Sequence, residues 1–209
     1  MKNIHTIIEL LKKEYPLVYP TLDFLDPLQL LISTQLAAQC TDERVNKTTP
    51  QLFAKYKTAQ DYANADLKDI ERIIFPTGFY RNKAKNIVAC CQMLLKDFGG
   101  VIPDNMEDLT KLPGVGRKTA SVILAEVYKK PAIIIDTHAK RLSLRIGLTD
   151  NTDPTKIEMD LEKILPPEES AEFCHRLVFH GRAVCHARNP KCEICVINNY
   201  CRYYKEKNT

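Results

Sequence analysis

Apolar residues recur at helical spacing along nearly all of this 209-residue chain. No stretch alternates apolar and polar residues for long enough to form a sheet strand. Helices must then bury their apolar faces against other helices, because nothing else is available to cover them. The sequence therefore predicts an all-α fold.

Punctuating residues divide this pattern into separate helices. Asp26 followed by Pro27 predicts an N-cap and a first-turn proline for one helix. Asp104, three residues before Glu107, predicts a capping box for another. Pro50 lies inside a third helical pattern and is expected to kink or split it.

The segment Leu112-Pro-Gly-Val-Gly116 separates two short helical patterns. Gly114 and Gly116 permit left-handed backbone and leave bare N–H groups in a tight turn. The helix that starts near Arg117 adds the positive end of its dipole at the same place. This arrangement suits a phosphate, although an ordinary helix-turn-helix corner fits the five residues equally well.

Two residues after this turn have the chemistry of a Schiff-base mechanism. Lys118 is predicted in the first helical turn, where the helix dipole disfavours a cation. Asp136 follows the apolar run Ile133–Ile135, so it is expected to be partly buried. Each has a simpler interpretation, as a solvated lysine and as a helix N-cap. Together they provide an amine nucleophile and a carboxylate.

Four cysteines lie within 17 residues, with the spacing Cys185-x6-Cys192-x2-Cys195-x5-Cys201. Thiolates this close together require a cation or a cluster to offset their charge. Tetrahedral zinc and a [4Fe–4S] cluster both accept four cysteine ligands, and spacing alone leaves both open. The other four cysteines lie in apolar helical patterns and are expected to pack in the core.

Positive charge is concentrated around the glycine turn. Residues 111–149 carry a net charge of +6 and residues 150–184 a net charge of −4, within a total of +4. Such a local excess is typical of a surface that binds phosphates.

Composition bounds the class of protein. With 44% hydrophobic and 27% charged residues, extensive disorder is excluded. No apolar run approaches the roughly 20 residues that span a bilayer, and the first helix lacks the features of a signal peptide. We therefore expect a cytoplasmic protein with no membrane partner.

The segments Leu112-Pro-Gly-Val-Gly-Arg-Lys-Thr-Ala120 and Ile135-Asp-Thr-His138, together with the cysteine spacing, resemble the endonuclease III family of helix-hairpin-helix DNA glycosylases and AP lyases. The resemblance covers nearly the whole chain. It implies a [4Fe–4S] cluster rather than zinc in the loop 185–201.

The resemblance also implies two helical lobes flanking a DNA-binding cleft. Residues 21–130 would form a six-helix barrel that contains the helix-hairpin-helix motif, at about 104–128. Residues 1–20 and 131–209 would form the iron–sulfur cluster lobe. Lys118 and Asp136 would then face each other across the cleft.

The partner implied by the resemblance is double-stranded DNA that contains a damaged base or an abasic site. The protein is expected to act on this DNA as a monomer, at the nucleoid if it is bacterial. Gln39 and Phe79 would fill the space left by an extruded nucleotide. The remaining contacts expected with DNA come from the hairpin and from basic residues: Leu112, Gly114, Val115, Gly116, Arg141, Arg188 and Lys191. His138 is expected to be a local hydrogen-bonding partner rather than a metal ligand.

The predicted activity is removal of oxidised pyrimidines through a Schiff base on Lys118, assisted by Asp136, with strand cleavage by β-elimination. One alternative is a monofunctional relative that acts on mismatched adenine, but that branch usually carries a small residue at the position of Lys118. The other is a non-catalytic DNA-binding module with a structural metal.

Overall fold

The computed structural model describes residues 3–207, and within that range it contains helices and no β-strand. The prediction of an all-α fold is confirmed. The helices are α1 (Ile4–Glu14), α2 (Pro27–Leu36), α3 (Asp42–Lys55), α4 (Ala59–Ala63), α5 (Leu67–Ile74), α6 (Tyr80–Phe98), α7 (Met106–Lys111), α8 (Arg117–Glu126), α9 (Thr137–Ile146), α10 (Pro154–Glu162), α11 (Ser170–Ala183) and α12 (Arg202–Lys207).

Short 3₁₀ turns supplement the α-helices, at Phe75–Thr77, Pro167–Glu169, Cys192–Ile194 and Asn198–Tyr200. Among residues 3–207, no helix combines the length and the apolar character needed to cross a membrane.

The helix starts agree with the sequence at one of the two predicted caps. Asp26 accepts a hydrogen bond from the Gln29 N–H at 2.9 Å and caps α2, as expected. The capping box predicted at Asp104 is wrong, because Asn105 caps α7 instead and accepts from the Asp108 N–H. The Asp104 carboxylate instead forms an ion pair with Lys130, at 2.6 Å.

Pro50 does not split the helix that contains it. α3 is assigned as one continuous helix from Asp42 to Lys55. Its apolar side stays buried on both sides of the proline, at Val45 and Leu52, and this packing holds the helix together despite the lost N–H donor.

The chain divides into two compact units. One unit is residues 20–130, and the other joins the residues up to Tyr19 with those from Pro131 onward. Residues 1–2 and 208–209, which belong to the predicted cluster lobe, lie outside the described residues.

The unit of residues 20–130 is built around α2. Residues 30–36 of this helix are all buried, as expected of a helix that is surrounded by others. α3, α6 and α8 pack against it, and α4 and α5 pack against α6. The candidate functional residues of this unit lie near the ends of α2, α6 and α8.

In the second unit α1 packs against α11, although the two are far apart in sequence. Ile4, Ile7, Ile8 and Leu11 bury the apolar face of α1. Lys12 forms an ion pair with Glu169 at 2.5 Å, just before α11. α9 packs against α10, α11 and α12, and the cysteine loop follows α11.

Candidate functional site

The glycine turn forms a tight hairpin between α7 and α8. Leu112 and Val115 are buried and anchor it, and the Val115 N–H donates to the Leu112 carbonyl at 3.0 Å. Gly114 and Gly116 are exposed between these anchors. The side chains of Leu112 and Val115 therefore face the protein, so any DNA contact by these two residues has to be made by their main chain.

The start of α8 lacks a side-chain cap. Its N-cap is Gly116, which has no side chain to accept from the first-turn N–H groups. These donors and the positive end of the helix dipole remain available to an anion. Lys118 lies in the same turn and its side chain is exposed.

Asp136 caps α9 in the other unit. One carboxylate oxygen, Oδ1, accepts from the Ala139 N–H at 2.7 Å, and the residue is half-buried. No hydrogen bond to Oδ2 is found among the described residues. The expectation of a partly buried carboxylate after the Ile133–Ile135 run is confirmed, and so is its N-cap interpretation.

Gln39 and Phe79 line one pocket in the unit of residues 20–130. We call them the plug residues, because they are predicted to fill the space that an extruded nucleotide leaves in the DNA. The pocket has a volume of about 200 Å³ and is open to solvent. Both residues have left-handed backbone, with φ of 54° and 47°, and both side chains are exposed. Left-handed backbone at a bulky residue is strained and is common where function requires it.

Four other polar residues line this pocket and were not expected from sequence: Gln35, Asn82, Lys83 and Asn86. The buried Gln35 carboxamide has no hydrogen-bond partner of normal geometry among the described residues. Burial lowers the pKa of Lys83. The helical spacing of Gln35, Gln39, Asn82 and Asn86 was visible in the sequence, but only the fold places α2 and α6 side by side.

The four cysteines Cys185, Cys192, Cys195 and Cys201 line a single cavity. Several N–H groups point at their sulfur atoms. Arg145 Nη1 donates to Cys185 Sγ at 3.3 Å, and His180 Nε2 lies 3.2 Å from Cys195 Sγ. Backbone amides near Cys195 and Cys201 favour the ionised form of these thiols.

N–H donors around cysteine sulfurs are the usual surroundings of an iron–sulfur cluster, because they stabilise the charge on the thiolates. Burial raises the pKa of Cys195 to about 11, so binding of the cluster has to displace the thiol protons. In the described part of the chain, no three Cys, His, Asp or Glu side chains are gathered at the spacing of a single metal ion. The donors, the cavity and the four thiols together fit a [4Fe–4S] cluster.

Two arginines of α9 hold the start of this loop. Arg145 donates to the carbonyls of His186, at 2.7 Å, and Ala187, at 2.9 Å. Arg141 donates to the Cys185 carbonyl at 2.8 Å. The guanidinium of Arg141 is therefore engaged by the loop, and a DNA contact by this residue stays a prediction. His138 Nδ1 lies 3.2 Å from Arg141 Nη2, which agrees with the expected local role.

Arg188 and Lys191 lie between the first two cysteines and are exposed. The main chain of Lys191 is fixed, because its N–H donates to the Val184 carbonyl at 3.0 Å. Asn189, between them in sequence, has left-handed backbone with φ of 49°. The loop thus directs two cations to solvent from an anchored backbone.

Comparison with known proteins gives the same assignment. Residues 32–167 match the model of the HhH-GPD superfamily base excision DNA repair protein, and residues 185–201 match the iron–sulfur binding domain of endonuclease III. The fold and the site thus define a helix-hairpin-helix protein of base excision DNA repair.

Individual relatives identify the family within this class of repair proteins. Endonuclease III of Synechocystis sp. is 50% identical over 93% of this chain and 90% of its own length. Endonuclease III of Bacillus subtilis is 38% identical over 97% of this chain and 93% of its own length. A solved non-covalent endonuclease III–DNA complex has a TM-score of 0.93 and 40% identity, over 99% of this chain and 97% of that one. The chain belongs to the endonuclease III family.

Family membership confirms the predicted class of enzyme, a base-excision-repair DNA glycosylase and AP lyase that acts on oxidised pyrimidines. It also confirms the [4Fe–4S] cluster over zinc and DNA as the partner. The roles of individual residues stay predictions.

Proposed function

We propose that this protein removes oxidised or ring-saturated pyrimidines from duplex DNA and then cleaves the strand, using Lys118 as nucleophile and Asp136 as its catalytic carboxylate. The observation that carries the proposal is the position of Lys118. It lies exposed in the first turn of α8, directly after the uncapped hairpin. A phosphate bound by the hairpin amides would place a neighbouring sugar next to the lysine amine.

Lys118 would act first as the nucleophile that displaces the base and then, as an imine, would permit β-elimination. Lys118 Nζ forms a bond to C1′ while the N-glycosidic bond breaks, and the base leaves with that electron pair and takes up a proton. The C1′–O4′ bond then breaks, O4′ takes up the proton that Nζ loses, and an imine is left between Nζ and C1′. Loss of a C2′ proton then expels the 3′ phosphate by β-elimination and nicks the strand.

Asp136 would stabilise the positive charge that develops on the sugar and help to deprotonate Lys118. Its Oδ1 is held by the Ala139 N–H, which fixes the orientation of the carboxylate. Its Oδ2 would be the oxygen that faces the sugar.

Other residues would bind the duplex. The amides of Gly114 and Gly116, with Arg188 and Lys191, would contact phosphates, and Gln39 and Phe79 would fill the vacated space in the stack. The cluster would be held by Cys185, Cys192, Cys195 and Cys201, and supplies a rigid support for the loop.

The unit of residues 20–130 would act as the barrel lobe and the other unit as the cluster lobe. One chain carries every residue named above, so the enzyme would act as a monomer. Chromosomal DNA is the expected substrate, which would place the protein in the cytoplasm at the nucleoid.

The test is borohydride trapping on a duplex that contains thymine glycol. The wild-type protein should give a covalent protein–DNA adduct and a nicked strand. Lys118→Gln should still bind the duplex but give neither product, whereas Lys85→Gln, which changes an exposed lysine of α6, should behave like wild type. An adduct of normal yield from Lys118→Gln would assign the nucleophile to another residue.

The same substrate tests the carboxylate. Asp136→Asn should slow base excision by roughly 10²-fold or more, on the scale of one well-placed catalytic group, and spare binding. Excision of the base without any nick or adduct from the wild-type protein would instead indicate a monofunctional glycosylase.

A further inference from the structure

The two plug residues are each placed by the end of a helical segment. Gln39 follows α2 by three residues, and Phe79 follows the 3₁₀ turn Phe75–Thr77 by two. The last carbonyl groups of a helix have no partner within that helix, so they must be satisfied by other donors.

Lys83 supplies that donor for both segments. Its Nζ donates to the carbonyl of Leu36, the last residue of α2, at 2.8 Å. It also donates to the carbonyl of Thr77, the last residue of the 3₁₀ turn, at 2.8 Å. A single ammonium group thus joins the two segments immediately before Gln39 and Phe79.

The surroundings of Lys83 are unusual for a lysine. Its exposed fraction is 6%, and in the described part of the chain no carboxylate lies within ion-pair distance of its ammonium. Lysine is seldom buried without a charged partner, because removing an ammonium from water is costly. Here the carbonyls at the negative ends of two helical segments take the place of a carboxylate.

From these contacts we infer that Lys83 is a positioning residue, which holds Gln39 and Phe79 at the fixed separation needed for both to enter the DNA stack. The inference rests on the proposed function. Gln39 and Phe79 both have left-handed backbone, a conformation that persists only when neighbouring contacts enforce it. Loss of the Lys83 contacts releases both segments together, so both plugs lose their position at once.

Lys83→Met tests this role, because methionine keeps most of the length of the side chain but donates no hydrogen bond. The substrate is an abasic site, presented in a duplex and in a single strand of the same sequence. A single strand has no stack to fill, so its cleavage needs Lys118 but not the plugs. Lys96→Met is the matched control, since it changes an exposed lysine in the last turn of the same helix.

We expect Lys83→Met to reduce the ratio of duplex to single-strand cleavage by at least about tenfold, with single-strand cleavage and adduct formation retained. Lys96→Met should leave the ratio unchanged. In a Gln39→Ala/Phe79→Ala background, Lys83→Met should cause no further reduction of the ratio, because the plugs through which it acts are gone.

An unchanged ratio would overturn the inference, as would equal loss on both substrates by a folded, cluster-loaded protein. If Lys83→Met does not fold, Lys83→Gln carries the test, since its amide still reaches toward one carbonyl and should give a smaller reduction of the ratio.

A second readout does not depend on catalysis. 2-Aminopurine next to a tetrahydrofuran abasic analogue fluoresces more strongly when a plug unstacks it. We expect this rise with wild type and Lys96→Met, and a loss of most of it with Lys83→Met; an equal rise with all three would contradict the role of Lys83. Wild type that cleaves neither substrate would refute the proposed function, while the fluorescence arm would still decide the role of Lys83.

Discussion

The two glycines of the hairpin offer a sharp test of why each is needed. Gly114 has φ of +76°, and a Cβ built on it would lie 2.8 Å from the Asn86 Cβ and 2.8 Å from Gln35 Oε1. Gly116 has φ of −90°, and nothing lies within 4 Å of a Cβ built there. The same change to alanine should therefore have opposite effects at positions two residues apart.

The expected magnitude at Gly114 combines two costs. Left-handed backbone costs an alanine about 1–2 kcal/mol. Overpacking against Asn86 adds about 1–3 kcal/mol, because the Cβ of Asn86 cannot move without its helix. The lower entropy of the unfolded alanine variant returns about 0.4–1 kcal/mol. We expect Gly114→Ala to lower the free energy of unfolding by about 1–5 kcal/mol, using these values.

Gly116→Ala should leave stability unchanged or raise it by about 0.4–1 kcal/mol, because alanine adopts this backbone without strain. Its effect should instead fall on DNA binding. A phosphate at the start of α8 needs close approach to bare N–H groups, and the added methyl group would obstruct it.

Thermal unfolding of the cluster-loaded proteins, followed by circular dichroism, measures the first effect. At about 2–4 °C per kcal/mol for a chain of this size, Gly114→Ala should unfold several degrees below wild type. Fluorescence anisotropy with a duplex that carries an abasic analogue measures the second. Equal stability of Gly114→Ala and wild type would refute the packing argument. Unchanged affinity of Gly116→Ala for the duplex would mean that the start of α8 does not bind a phosphate.

Three further predictions concern single side chains. Cys201→Ser should lose the visible absorption of the cluster while the helices of residues 20–130 persist by circular dichroism, and full iron loading would contradict its role as a ligand. Lys191→Ala should reduce the slope of log K against log salt by about one, and an unchanged slope would mean that this residue does not contact a phosphate. Hydrogen bonds from Lys55 and Tyr56 hold the pKa of Asp69 below its usual value of about 3.9. The ionised carboxylate therefore stabilises the folded protein above that pH. This stabilisation is lost as the pH falls through the lower pKa of the folded state. Asp69→Asn should accordingly be less stable than wild type at pH 6, with the difference shrinking below pH about 4 in acid unfolding curves, and a constant difference would contradict this.

Local rules predicted much of the fold. Asp26 with Pro27 identified the start of α2, and the glycine turn was placed correctly between α7 and α8, because both features depend on residues close in sequence. The failures came where a distant contact decided the outcome. Asp104 met the capping rule but pairs with Lys130, which leaves the cap to Asn105.

The candidate site was predictable only where a motif carried it. The cysteine spacing, Lys118 and Asp136 were visible in the sequence because each belongs to a short pattern. Lys83 was not, since a lysine in a helical pattern is normally solvated, and nothing in the sequence places it between the carbonyls of Leu36 and Thr77. A buried lysine can be identified only when the packing of its helix is known.

The packing of α1 against α11 has a consequence for synthesis of the chain on the ribosome. Lys12 and Glu169 are 157 residues apart. At a translation rate of about 5–20 residues per second, α11 is therefore synthesised roughly 8 to 30 s after α1. Residues 20–130 can fold during that interval, while the apolar face of α1 stays exposed. The cysteines of the loop are made later still, so the cluster is expected to enter a chain in which Lys118 already lies in a folded helix. The nascent chain is therefore most vulnerable to chaperone capture and proteolysis at its first helix. The apolar face of this helix is buried only when nearly all of the second unit has been translated.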